Sequence, residues 1–123
     1  TPKKFVVDNI SKGTNVIFDI DWQGAREIAK HKEFHVVSIF ILPPSMQALR
    51  ERLESRSLDS VDIINDRMTK AKSEISHYDE YKYVVLNDDI NEAISKIKKI
   101  IDYYSLRNVR ARNYTDFIKD NLK

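Results

Sequence analysis

Asn15-Val16-Ile17-Phe18-Asp19-Ile20-Asp21-Trp22-Gln23-Gly24-Ala25 is the stretch on which the reading of this chain turns. Val16, Ile17 and Phe18 form an unbroken apolar, β-rich run, the pattern of a strand buried on both faces of a parallel sheet. Two carboxylates, Asp19 and Asp21, follow it directly. Ligands of open α/β sheets bind beyond the carboxyl ends of the strands, so acids placed there read as a site. The competing reading, in which they cap the next helix and meet its positive end, is the weaker one for two acids flanking Ile20. Gly24 lets the chain bend close to the strand end, and the segment Ala25 to Lys30 is a good helix former.

Downstream, Phe34 to Leu42 reads as a second buried strand, stopped by Pro43-Pro44, with Ser45 placed to cap a helix whose inner face carries Met46, Leu49 and Leu53. The charges gather beyond it: Arg50, Arg52, Arg56, Arg67, Lys70 and Lys72, interrupted by the polar break S-L-D-S at residues 57–60. Arg52 and Arg56 are four apart and share a helix face. A new helix starts near Asp59 or Ser60, with Ile64, Met68, Ala71 and Ile75 as its apolar stripe and Arg67 to one side. Two helices joined by a hinge and carrying arginines make a mobile flap. Tyr83 to Leu86 is a third strand, and Asn87-Asp88-Asp89 caps a final helix in which Ile90, Ala93, Ile94, Ile97 and Ile101 recur at helical spacing to about Tyr104. The tail from Arg107 is weaker in pattern, though Thr115 is placed to start a short last helix.

Upstream, a helix from Pro2 to about Lys12 is capped by Thr1 and stopped by Gly13. Starting on a capping residue without an initiator methionine, the sequence reads as a piece of something longer.

Composition narrows the function. With 123 residues the chain is one domain at most, short for an enzyme with two substrates. No apolar run approaches the ~20 residues that span a bilayer and no signal segment opens the chain, so a cytoplasmic protein is expected. The absence of cysteine excludes disulfides, thiolate catalysis and sulfur-bound zinc. His31, His35 and His77 show no metal-ligand spacing. A net charge of +2 is too small for a generic nucleic-acid binder, and two glycines exclude a G-x-x-x-x-G-K-[ST] loop within these residues.

Strands alternating with helices argue for βαβ units. Strand ends then present Asp19 and Asp21, and Asn87 with Asp88, while the arginine flap arises between the second and third strands. Carboxylates order magnesium or accept from a base edge, and arginines hold phosphate oxygens, so the set suits nucleotide phosphoryl transfer. Each has a plainer reading. Arg52, Arg56 and Arg67 would form a solvated face with Glu51, Glu54 and Asp66; Asn87 and Asp88 would be helix caps; Trp22, Tyr78, Tyr81 and Tyr83 would be packing residues.

The runs V-I-F-D-I-D-W-Q-G-A, I-F-I-L-P-P-S with L-R-E-R-L-E-S-R-S, D-S-V-D-I-I-N-D-R-M and Y-V-V-L-N-D-D-I, in that order, resemble guanylate kinase across about residues 1–104. The resemblance implies a P-loop NTPase-like α/β fold, a parallel sheet flanked by helices with a helical lid, and ATP-dependent phosphorylation of GMP to GDP with Mg2+. It implies a partial domain over residues 1–123, with a core at 1–49 and 81–123 and a lid at about 50–80. By the same resemblance Thr1, Asp19 and Asp21 bind GMP, with Asp21 recognising guanine and Asp19 close to the magnesium through water rather than as a direct ligand. Arg52, Arg56 and Arg67 are the catalytic arginines of the lid and its base, and Arg56 and Asn87 meet ATP. The partners implied are GMP and ATP, with no nucleic acid and no membrane; association with further copies of the chain is left open.

Two departures stand out. Ser55-Arg56-Ser57 replaces the family's common Gly-Arg-Gly, which would stiffen the hinge. The family's P-loop, its lysine and most of the GMP-phosphate site fall before Thr1, so this polypeptide by itself is expected to be nearly inactive. A non-catalytic guanylate-kinase-like module that binds proteins is the rival reading, and a nucleic-acid-binding fragment a second; the retained lid arginines and both strand-end acids favour the enzyme.

Overall fold

The computed structural model describes residues 3–56, 58–113 and 119–121, with side chains described at all of these but 107–113. The chain divides into two compact units, Thr1–Val36 and Val37–Lys123.

The first unit holds two helices, α1 (Lys3–Ser11) and α2 (Trp22–Ala29). Val6 is buried on α1. The helix ends where Gly13 takes a φ of 83°, a conformation that glycine reaches without a Cβ clash. Between the helices the chain runs through residues 14–21 without forming a strand, and Ile17 is 81% exposed. This corrects the expected buried strand at Val16 to Phe18. A strand exists by virtue of a ladder with a neighbouring backbone, and among the described residues the sheet does not include this segment. The Lys3 ammonium meets the Glu33 carboxylate at 2.9 Å, tying α1 to the turn that follows α2.

The second unit is α/β. Strand β1 (Ile39–Leu42) leads through α3 (Met46–Arg56), α4 (Val61–Ser76) and a 3-10 turn (Tyr78–Glu80) into β2 (Tyr83–Leu86), and α5 (Ile90–Asn113) closes the order. The two strands pair in parallel, Ile39 with Tyr83 through Leu42 with Leu86. Parallel strands need a crossover of a dozen or more residues, which the two helices supply. The pairing is sealed at its start by Ser38, whose carbonyl accepts from the Tyr83 amide at 3.1 Å and whose hydroxyl accepts from the Lys82 amide at 2.9 Å. Among the described residues the ladder runs from Ile39 to Leu42, so the expected strand over Phe34 to Leu42 shrinks to its last four residues.

Phe40, Ile64, Met68, Val85, Ala93 and Tyr104 form the core of this unit. Ile64 and Met68, four apart on α4, present one apolar face. Phe40 meets Tyr81 edge-on with ring centroids 5.2 Å apart. Tyr83 of β2 and Tyr104 of α5 join through their hydroxyls at 3.1 Å, fixing helix to strand. Helix α5 runs past Tyr104 to Asn113, because Leu106 to Arg112 includes no glycine or proline to stop it. Thr115, expected to begin a last helix, lies outside the described residues, as do Thr1 and Ser57. Among the described residues no helix is long and apolar enough to cross a membrane.

Candidate functional site

In the second unit both strands end at one place. The Asn87 amide donates to the Leu42 carbonyl at 2.8 Å, carrying the ladder one step beyond β2 and holding Asn87 beside the exit of β1. Pro43 and Pro44 stop β1 there, and the Ser45 hydroxyl accepts from the Ala48 amide at 3.0 Å, starting α3. That helix then presents Leu49, Arg52, Leu53 and Arg56 on one face, at the i, i+3, i+4, i+7 spacing. Ile41, Pro43 and Asn87 face the same space, and together these seven residues line a cleft of about 220 Å³.

The cleft is chemically divided. Ile41, Pro43, Leu49 and Leu53 give it an apolar wall suited to a flat ring; Asn87 contributes one amide with both donors and an acceptor; Arg52 and Arg56 contribute two guanidinium groups. Two cations four residues apart on a helix repel each other. The neighbouring charges do not relieve this: Arg50 pairs with Glu54 at 3.0 Å, Lys70 with Asp66 at 3.4 Å, and Gln47 donates to Glu51 at 3.3 Å. Among the described residues neither Arg52 nor Arg56 is in an ion pair, so the reading of both as one half of a paired surface is set aside. An anion with several oxygens entering this cleft meets two unneutralised forks.

Arg67 stands elsewhere. Its Nη1 lies 3.1 Å from Asp59 Oδ2, and it is not among the residues lining the cleft. The structure therefore brings Arg52, Arg56 and Asn87 together and gives Arg67 a carboxylate partner instead. Asp59 carried no expectation beyond marking the start of a helix, since a contact across eight residues and a helix cap leaves no periodic signal. The apolar wall was half visible, in Leu49 and Leu53 at helical spacing.

Asp19 and Asp21 belong to the first unit. Asp19 is exposed at the end of the extended segment. Asp21 is the N-cap of α2, its Oδ1 accepting from the Gly24 amide at 2.8 Å. The plainer reading of this acid is thus realised, and one oxygen of the carboxylate is used by it. Gly24 is required by the same geometry: a Cβ there would stand 3.2 Å from Ile20 Cβ and 3.3 Å from Asp21 Oδ1. At the other polar turn the cap is Asp89, whose Oδ1 accepts from the amides of Asn91 at 2.8 Å and Glu92 at 3.2 Å. This leaves the Asn87 side chain to the cleft.

The aromatic and imidazole side chains have structural neighbours. The Arg26 guanidinium lies 4.5 Å over the Trp22 ring. His31 contacts Glu33, and His77 contacts Glu80. Among the described residues no group of three or more acids, histidines or cysteines is arranged to hold a metal. A magnesium ion that arrives on nucleotide phosphates needs only one or two carboxylates and water from the protein, a demand that exposed Asp19 fits.

Known proteins share this chain's sequence over its full length. A sequence profile described as Guanylate kinase matches residues 1–104. The guanylate kinase of Novosphingobium aromaticivorans is 41% identical over 123 residues, covering 100% of this chain and 56% of that protein. That of Ehrlichia chaffeensis is 46% identical over 122 residues, covering 99% and 58%. The crystal structure of guanylate kinase from Anaplasma phagocytophilum superposes with a TM-score of 0.68 at 37% identity, over 90% of this chain and 57% of that one. The chain spans about half the length of the curated relatives it matches. On the match of that profile to most of its length, the chain belongs to the guanylate kinase family.

Proposed function

We propose that this chain provides the lid and part of the nucleotide site of an ATP:GMP phosphotransferase acting in the cytoplasm. A GMP phosphate oxygen attacks the γ-phosphorus of ATP, the bond to the β-phosphate oxygen breaks, and GDP and ADP leave. The observation that carries this reading is the cleft at the strand ends, where Arg52 and Arg56, in no ion pair among the described residues, stand beside Asn87 and an apolar wall. Adenine fits the wall, Asn87 sits beside it, and the two guanidinium groups hold phosphate oxygens and offset charge that grows during transfer. Arg67 joins them when the lid, residues 50–80, closes on the core formed by 1–49 and 81–123.

In the same reading Thr1 and Asp21 bind the guanine of GMP, and Asp19 reaches magnesium through water. Magnesium carried by ATP would supply neutralisation of the phosphate charge. The P-loop and most of the GMP-phosphate site are contributed from outside these residues, so activity belongs to the full-length protein.

A coupled assay of the full-length protein with ATP tests this. GMP is expected to be phosphorylated far faster than AMP or CMP, and only with magnesium present. Absence of GDP formation under those conditions, in protein that binds neither nucleotide, contradicts the assignment.

A further inference from the structure

We propose that Asp59 is a positioning residue for Arg67, holding its guanidinium in a set orientation at the hinge between α3 and α4 before nucleotide phosphates reach it. The inference rests on the reading of Arg67 as a phosphate-handling arginine.

Three observations carry it. First, Asp59 is not the cap of α4. Ser60 is: its hydroxyl accepts from the Ile63 amide at 3.4 Å and its carbonyl from the Ile64 amide at 3.1 Å. The Asp59 carboxylate, one residue earlier, is turned instead to Arg67 at 3.1 Å. Second, the contact crosses eight residues, whereas the pairs Arg50–Glu54, Lys70–Asp66 and His77–Glu80 join neighbours three or four apart. Pairs at three or four form wherever a helix carries both signs; a pair reaching from the hinge past the first turns of α4 fixes the approach of the chain to the helix. Third, the carboxylate is the more sheltered partner, with 28% of the Asp59 side chain exposed against 49% for Arg67. The anchor is held while the guanidinium faces outward, and the contact engages only the Nη1 end of a fork that carries five N–H donors.

An arginine already oriented loses less freedom when phosphate arrives, so the benefit falls on the rate of the chemical step more than on ground-state binding. A merely structural pair at this exposure would contribute little to stability and nothing specific to turnover.

The test uses the full-length protein, with any sequence its gene encodes on either side, as wild type and as Asp59→Asn, Asp59→Glu, Arg67→Ala and the Asp59→Asn/Arg67→Ala double variant. The expected result is a kcat lowered about tenfold in Asp59→Asn with little change in KM for GMP, largely restored in Asp59→Glu. In the Arg67→Ala background, Asp59→Asn is expected to have no further effect, because it acts through the missing guanidinium. Wild-type kcat in Asp59→Asn, or full additivity in the double variant, overturns the proposal. A spectroscopic arm separates this from failure of the phosphotransferase reading. The Arg67 Nη–H resonances should show restricted rotation about Cζ–Nη in wild type and free averaging in Asp59→Asn, whether or not GMP is turned over. An identical resonance in the two proteins overturns the positioning role by itself.

Discussion

The Asp21 carboxylate and the Gly24 amide are 2.8 Å apart, a bond that makes one proposed guanine-recognition acid also the cap of the helix behind it. Two functions on one side chain are separable, because asparagine caps a helix about as well as aspartate but offers a guanine edge a different donor and acceptor pattern. Asp21→Asn is expected to leave the urea midpoint of the full-length protein nearly unchanged while raising KM for GMP and eroding its preference over AMP. Asp21→Ala should do both kinds of damage, with about 1 kcal/mol of stability lost through the missing cap. Unaltered GMP selectivity in both variants would remove Asp21 from the pocket.

Arg52→Ala and Arg56→Ala are expected to lower turnover of the full-length protein by about a hundredfold or more each, the scale of losing one charge-stabilising donor. Their thermal stability should stay within about 0.5 kcal/mol of wild type, as neither group is in an ion pair with a described residue. Arg50→Ala, which removes only the pair with Glu54, serves as the control and should retain near wild-type rates. Steady-state kinetics with melting curves on the same samples check all three.

The Lys3 ammonium beside Glu33 holds its carboxyl at about 2, below the usual 4.5, helped by the Glu33 backbone amide and His31. The folded state therefore prefers the ionised acid. The stabilisation is complete above pH 4.5 and drains away as pH falls toward 2. Both groups are exposed, so the effect should shrink at high salt. Lys3→Ala is expected to flatten this part of the acid unfolding profile, and an identical profile in wild type and variant would assign the acid sensitivity to other carboxylates.

Tyr83 behaves oppositely. The hydrogen bond with the Tyr104 hydroxyl raises its phenol above the ordinary 10.0, so the fold favours the neutral form. This contribution is present below pH 10 and lost as pH rises through the raised value. Tyr104→Phe should bring the Tyr83 titration back toward its ordinary range in an ultraviolet difference experiment and weaken the docking of α5 on β2.

Much of the second unit was legible because its signals are local. The run Tyr83 to Leu86 lies between charged and polar residues and became β2 without adjustment, and Ser60 capped α4 where the polar break ended. Gly13 stopped α1 through a backbone angle that its lack of a Cβ allows. The misses share a cause in partners distant along the chain. Val16 to Phe18 has the composition of a buried strand, yet composition provides no neighbouring ladder. The length of β1 was set by where β2 begins, not by where its own apolar residues begin. The candidate site divides the same way: Arg52 and Arg56 could be placed on one face by counting, whereas the Arg67 to Asp59 pair depends on how a hinge turns.

The extended run through Ile17 has a practical corollary. An exposed apolar segment that is not part of the sheet among the described residues is a template for intermolecular β-pairing, so the chain prepared by itself should tend toward fibrillar precipitation as concentration rises. A single charge in place of Ile17, at the tip least occupied by packing, is the natural solubilising change.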